Sequence, residues 1–272
     1  MRLTDYEKKV QRDIESWRQG EAGLVQQVFN WAMKPVDWVV EQVVPENVVD
    51  QASDAVAGFL ATLNDASEWT FDESSVVKKA QDRGLSVEAI ADLRDKPIED
   101  LDALAKTYFT ENAVLAAVEG GGTGLGGAAL LIADIPLLFT INFRLIQQIG
   151  ASYGFSLRTP EFRPLLLAIF NVAASSSKDA KHNAMREMSV AAAAFAHDIE
   201  YRGRRSSDTF REQNRHLPRE IAKNLIGQKL GQMIPIAGAA IGAGVNYWFT
   251  TETAEAAFML FRALYVERKE RL

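Results

Sequence analysis

Apolar positions along this chain recur at the spacing of helices, and no stretch of useful length alternates in the manner of a strand. Tyr6, Val10, Ile14 and Trp17 follow one another at steps of four, four and three, which puts them on one helical face. Thr4 and Glu7 precede that stripe as a T-x-x-E capping box, so the helix is expected to begin there. Gly20 and Gly23 interrupt it, and Leu24 to Met33 reads as helix again until Lys34-Pro35. Pro45 suits the first turn of a helix running through Val48, Val49, Ala52, Val56, Phe59, Leu60 and Leu63. Ser74 to Gly84, Ser86 to Arg94 and Pro97 to Phe109 read as three short helices, with Gly84 as a stop, Ser86 as an N-cap and Pro97 in a first turn. Pro160 to Ala174 and Asp179 to Glu200 complete the helical stretches, and Trp17, Trp31, Trp38 and Trp69 are expected to anchor the core. No Asn-Gly or Asp-Gly hairpin signal interrupts this pattern. The predicted fold class is all-α, a multi-helix globular bundle.

Two segments depart from ordinary amphipathic patterning. Residues 120 to 143 hold a single charge, Asp134, two positions before Pro136. Leu230 to Thr251 holds no charge but contains Pro235, Gly238, Gly242, Gly244 and Asn246. Each approaches the ~20 residues that a membrane span needs. Yet each is interrupted by proline and diluted by glycine and alanine, which favours helices packed in the core, or a shallow or re-entrant membrane hairpin, over a lipid-facing span. Gly124, Gly127, Gly238 and Gly242 are the candidate close-packing glycines, since a missing side chain lets two helix backbones approach. The segments resemble each other: each leads from a glycine cluster to Phe-Arg, at Phe143-Arg144 and Phe261-Arg262, with Gly124 and Gly242 each 20 residues before the arginine.

Charge divides the chain in the same place. Residues 1 to 112 carry 22 acidic and 12 basic side chains, and residues 113 to 272 carry 14 and 18. An acidic helical lobe at 1–112 and a glycine-rich core lobe at 113–272 are therefore expected, either as two units or as one continuous domain. The run from 201 to 223 holds seven basic and three acidic residues. Arg202, Arg204, Arg205, Arg211, Arg215 and Arg219 are its candidates for contact with anionic headgroups. Cysteine is absent, which excludes a disulfide framework, a thiolate metal site and a cysteine nucleophile. The N-terminus is charged from its second residue and lacks an apolar core of signal-peptide type, so a cytoplasmic location at the inner face of the membrane is expected.

Motifs of known chemistry lack their contexts. Gly122-Thr-Gly-Leu-Gly-Gly127 satisfies G-x-G-x-x-G, but helix rather than strand precedes it and no βαβ unit surrounds it. Ser75 to Lys78 and Ser175 to Lys178 fit S-x-x-K without the partner motifs of a serine hydrolase. His197 and Glu200 share a helical face beside Asp198, without further ligands, and His182 lies too far along the helix to join them. No metal and no cofactor is expected. Asp134 is the most informative residue, because a carboxylate in an apolar run must be neutralised, paired or open to a cavity. Arg144, Arg163 and Arg262 are candidate partners for it.

The run EGGGTGLGGAALLIADIPLLFTINFRLI from Glu119, followed by Tyr153-Gly154-Phe155, resembles the signature of the EcsC protein family. IPIAGAAIGAGVNYWF before Phe261-Arg262 is similar to that family's second glycine-rich segment, and Tyr6, Trp17, Pro35 and Pro45 fall where such proteins begin. The resemblance implies a setting beside an ABC transporter involved in secretion or membrane processes, and it carries over no catalytic residue. It marks Asp134, Pro136, Tyr153 and Gly154 as family-pattern positions, with Arg144 nearby as a further candidate. The function expected is that of a peripheral membrane-associated helical accessory protein, binding anionic lipid or a membrane transport complex and no nucleic acid. The alternative is a helical enzyme or carrier holding a lipid-like ligand in a cavity near Asp134.

Overall fold

The computed structural model describes residues 3–19, 46–62, 71–123, 127–157, 162–175, 178–200, 221, 225 and 238–271. These form helices α1 (Asp5–Arg18), α2 (Glu46–Thr62), α3 (Ser74–Asp82), α4 (Ile98–Thr123), α5 (Gly127–Ser152), α6 (Arg163–Ala174), α7 (Lys178–Glu200) and α8 (Gly238–Arg271), with a 3-10 turn at Ile90–Asp95 between α3 and α4. The described residues include no strand, so the all-α class holds. The stretch Leu24 to Met33, the basic run 201 to 223 apart from Ile221 and including its six arginines, Trp31, Trp38, Trp69, and Gly124 lie outside the described residues.

Local chemistry accounts for the helix ends. At α1 the Thr4 N–H donates to Glu7 Oε2 at 2.7 Å and the Glu7 N–H donates to Thr4 Oγ1 at 3.2 Å, the reciprocal capping box expected from the sequence. The stripe below it, Val10, Ile14 and Trp17, is buried. Helix α3 ends where Gly84 takes φ +86°, with Leu85 N–H bonding back to Ala80 O and Gly84 N–H to Gln81 O in a Schellman arrangement. Helix α5 ends in the same way at Gly154, φ +84°, with Phe155 N–H on Gly150 O.

Two expected elements differ. The helix from Ser86 to Arg94 is only the 3-10 turn, because the Asp92 carboxylate accepts the N–H groups of Glu88 and Ala89 at 2.8 and 2.9 Å and holds the approach non-helical. The helix expected to stop near Phe109 runs on to Thr123, since no stop signal precedes the glycine run. Helix α4 therefore crosses residues 112 and 113 unbroken, and buried residues from both sides of that point share one core.

Helices α4, α5 and α8 pack pairwise as the centre of the molecule. Contacts fix their directions. Asn112 meets Gln148 and Asp102 meets Tyr153, so α4 and α5 are antiparallel. Asn142 meets Thr250 and Phe139 packs on Phe249, while Asp134 meets Asn246, so α5 and α8 are parallel. The α6–α7 hairpin rests on α8, with Phe170 and Phe249 stacked at 6.0 Å. Phe59 of α2 packs against Phe139 and Phe143, and α1 lies along α8. Among the described residues no helix is long and apolar enough to cross a membrane.

Candidate functional site

The two glycine-rich segments meet through polar side chains set in otherwise apolar faces. On α5, Asp134 is 2% exposed, and its Oδ2 accepts a hydrogen bond of 3.0 Å from Asn246 Nδ2 on α8. Two turns further along, Asn142 donates to Thr250 Oγ1 at 3.1 Å and to Leu138 O of its own helix at 2.8 Å. Each segment thus supplies one member of each pair. Asparagine was thus missed as the donor to Asp134, although Asn246 is one of two side-chain amides in that uncharged run. Arg262, one of the three arginines expected near Asp134, is engaged elsewhere, Arg144 is exposed, and the Arg163 side chain lies outside the described part. Pro136 is exposed inside α5, where its missing N–H leaves the carbonyl four residues earlier without the usual helical donor. Gly127 opens α5, and Gly238 and Gly242 lie in the first turns of α8.

Tyr153 and Gly154 belong to a second cluster, 19 residues and roughly 28 Å along α5 from Asp134. Its centre is Asp102 of α4, 1% exposed. Tyr153 Oη donates to its Oδ1 at 2.5 Å, Tyr6 Oη donates to its Oδ2 at 2.8 Å, and Arg262 Nη2 lies 2.9 Å from Oδ2. Arg262 also reaches Asp13 at 3.4 Å and covers the ring of Phe258 at 4.7 Å. Burial pushes the Tyr153 phenol well above its ordinary range, and the adjacent Asp102 charge adds to the effect. Burial and the Asp102 hydrogen bond likewise raise Tyr6 to about 12. Both phenols therefore remain donors, and the carboxylate is satisfied by two hydroxyls and a guanidinium. The arrangement joins α1, α4, α5 and α8, and nothing in its geometry leaves an oxygen open to a substrate. Asp102 was missed by sequence reasoning, yet a signal existed: it interrupts the apolar face formed by Ile98, Leu101, Leu104, Ala105 and Tyr108.

Gly154 has a backbone reason to be glycine. Its φ is +84°, and an added Cβ would lie 2.9 Å from the Arg94 backbone nitrogen and 2.4 Å from Arg94 Cγ. Arg94 Nε donates back to Gly154 O at 2.7 Å, so the turn and the 3-10 segment clasp each other. Gly150, which the sequence did not single out, is the close-packed glycine of α5: a Cβ there would meet Leu157 Cδ1 at 2.7 Å and Phe261 Cζ at 2.9 Å.

A third polar group joins α7 to α8. Lys181 Nζ pairs with the buried Glu252 at 2.6 Å. Burial, with Glu252 close by, raises the Glu255 carboxyl above its ordinary value. His197 and Glu200 lie at the end of α7, where side chains are outside the described part. Of the cavities, one of about 80 Å³ lies between α1, α7 and α8 and is lined by Ile14, Trp17, Met185, Met188 and Met259. Another of about 10 Å³ lies beside Phe143 and Leu165. Neither is lined by Asp134.

No solved structure matches the chain. The protein EcsC of Bacillus subtilis (strain 168) is 29% identical over 164 residues, which is 60% of this chain and 63% of that protein. The uncharacterized protein YdbA of the same organism is 22% identical over 259 residues, 92% of this chain and 89% of that one. The family pattern of the EcsC protein family matches residues 8–265, nearly the whole chain, and the chain belongs to that family.

Proposed function

We propose that this protein is a peripheral membrane-associated helical accessory protein of the inner membrane face, which meets an anionic membrane surface or a membrane transport complex through its basic run and its glycine-rich end. The observation that carries this reading is the meeting of the two glycine-rich segments. Their described parts lie side by side at one end of the bundle, and among the described residues no helix is long and apolar enough to cross a bilayer. A charge-poor, glycine-rich end on a folded body is suited to touching a membrane or a membrane protein without spanning the membrane. The six arginines between 202 and 219 add an attraction of about 1 kcal/mol each when close to an anionic surface. The setting beside an ABC transporter that the sequence resemblance implies points the same way. The alternative is a lipid-like ligand held near Asp134; among the described residues the two cavities named above are lined by other side chains.

Fractionation of native cells at low ionic strength tests the proposal. The protein is expected in the membrane pellet and is expected to be released by high salt, as a surface attachment through arginine requires. Recovery wholly in the soluble fraction at low salt would overturn it.

A further inference from the structure

Independently of the membrane reading, we infer that the cleft between α1, α7 and α8 is a thioether site for a soft monovalent cation, Cu(I) or its analogue Ag(I), with Met185, Met188 and Met259 as its ligands. These are all the methionines among the described residues, and all three line this one cleft of about 80 Å³. The rest of the described core is built of leucine, isoleucine, valine, alanine and aromatic side chains. A methionine that fills a gap answers to a local irregularity of packing, so gap-fillers have no reason to gather. Met185 and Met188 are three apart on α7 and share a face, with Cβ atoms about 5–6 Å apart. Met259 comes from α8, and the packing of α7 on α8 brings it to the same opening. Spacing along the chain does not show such a site, because its third member lies on a distant helix.

The donors of the lining select the ion. Ser189 gives its hydroxyl to Met185 O at 2.9 Å, and the Glu267 carboxylate is paired with Arg271. No histidine, aspartate or cysteine is among the lining residues. Calcium and magnesium take several oxygens, and zinc takes thiolate, imidazole or carboxylate. Thioethers favour Cu(I). Trp17 lines the cleft beside them, and indole is the side-chain ring that attracts a cation best. Met185 and Met188 are buried, while the exposed Arg18, Ser189 and Ala193 mark a mouth through which an ion can enter. One contact competes: Arg262 Nη1 donates to Met259 Sδ at 3.7 Å. Thioether sulfur is a weak acceptor, and the guanidinium charge is already met by Asp102 at 2.9 Å and Asp13 at 3.4 Å. Arg18 is exposed, so solvent and salt screen its charge. Three rotatable bonds in each methionine let the sulfurs turn toward a shared ion.

The absence of cysteine makes the test direct, since no thiolate competes for the ion. The full chain is titrated with Ag(I) in nitrate buffer by calorimetry, and with Cu(I) under anaerobic conditions against the chelator bathocuproine disulfonate, both at pH 7 and near pH 5. A thioether has no proton to lose, so the affinity is expected to be the same at both pH values. A site made from the chain's three histidines weakens near pH 5 instead. The variant Met185→Leu/Met188→Leu/Met259→Leu conserves volume and apolar character while removing every sulfur donor, and is expected to lose the site. Each single leucine variant is expected to bind on the order of tenfold more weakly. X-ray absorption at the copper edge of the Cu(I)-loaded parent chain is expected to show a shell of sulfur neighbours, a readout that does not depend on any variant folding. A parent chain that takes up neither ion, a triple variant that binds as tightly as the parent, affinity lost near pH 5, or a copper shell of nitrogen and oxygen alone overturns the site.

Discussion

Gly84 and Gly154 adopt the same left-handed backbone, φ +86° and +84°, but in different surroundings. At Gly84 an added Cβ meets nothing within 4 Å, whereas at Gly154 it runs into the backbone of Arg94. Gly84→Ala should therefore cost only the left-handed penalty, about 1–2 kcal/mol. Gly154→Ala carries the same penalty plus overpacking worth a further ~1–3 kcal/mol, because a backbone nitrogen does not move aside as a side-chain tip can. Urea denaturation of the two variants beside the parent chain measures the difference, and equal losses would contradict the clash. The contrast also explains what the sequence could and could not convey. Tyr153-Gly154 stood out as a pattern, but its meaning depends on Asp102 and Arg94, which lie 51 and 60 residues away along the chain. A buried acid on an apolar helix face was visible at Asp102; its three partners were not, because they come from three other helices.

Helix positions and faces were largely written in the local pattern: the α1 stripe, the Gly84 stop and the α6–α7 hairpin all follow spacing and caps. Two boundaries were not legible, for physical reasons. Asp92 competes for backbone N–H groups and shortens one helix to a 3-10 turn, and packing against α5 and α8 carries α4 past Phe109. The sequence likeness of the two glycine-rich segments shows where likeness stops short of equivalence. Phe143 and Phe261 are both buried, yet Arg144 is exposed and Arg262 is bound to Asp102. Besides apolar packing, the pair of side-chain bonds Asp134–Asn246 and Asn142–Thr250 sets the parallel register of α5 and α8. Removing a donor from a buried carboxylate costs about 1–3 kcal/mol. Asn246→Ala should lower stability by that amount, and Asn246→Asp by more, since it sets a second carboxylate against Asp134. Thermal unfolding ranks the three chains; an Asn246→Asp variant as stable as Asn246→Ala would mean that residue 246 does not contact the Asp134 side chain.

The molecule closes by tying its two ends together. Helix α1 lies along α8, and Glu7 pairs with Lys269 across 262 residues of sequence, beside Gln11 on Glu270 at 2.7 Å. Burial acts to raise the Glu7 carboxyl, but the hydrogen bonds from Lys269 and the Thr4 backbone outweigh it and hold the group below its ordinary range. The Glu7 hydrogen bond in turn raises Lys269. A lowered carboxyl contributes stability that is present above its unfolded value, about 4.3, and is lost as pH falls through the folded value. A raised lysine contributes stability that is present below its unfolded value, about 10.4, and is lost as pH rises through the folded value. The tie therefore acts between these limits. Glu7→Gln keeps the shape and an acceptor for the Thr4 N–H while removing the charge, so at pH 7 it should be less stable by about 1–2 kcal/mol. Urea midpoints of parent and variant, followed downward from pH 7, should keep that gap to near pH 5 and then narrow as pH falls below the unfolded value and through the lowered folded value of Glu7. A gap that does not narrow as pH falls below about 4.3 would mean that packing and capping, rather than the charge on Glu7, hold α1 to the end of α8.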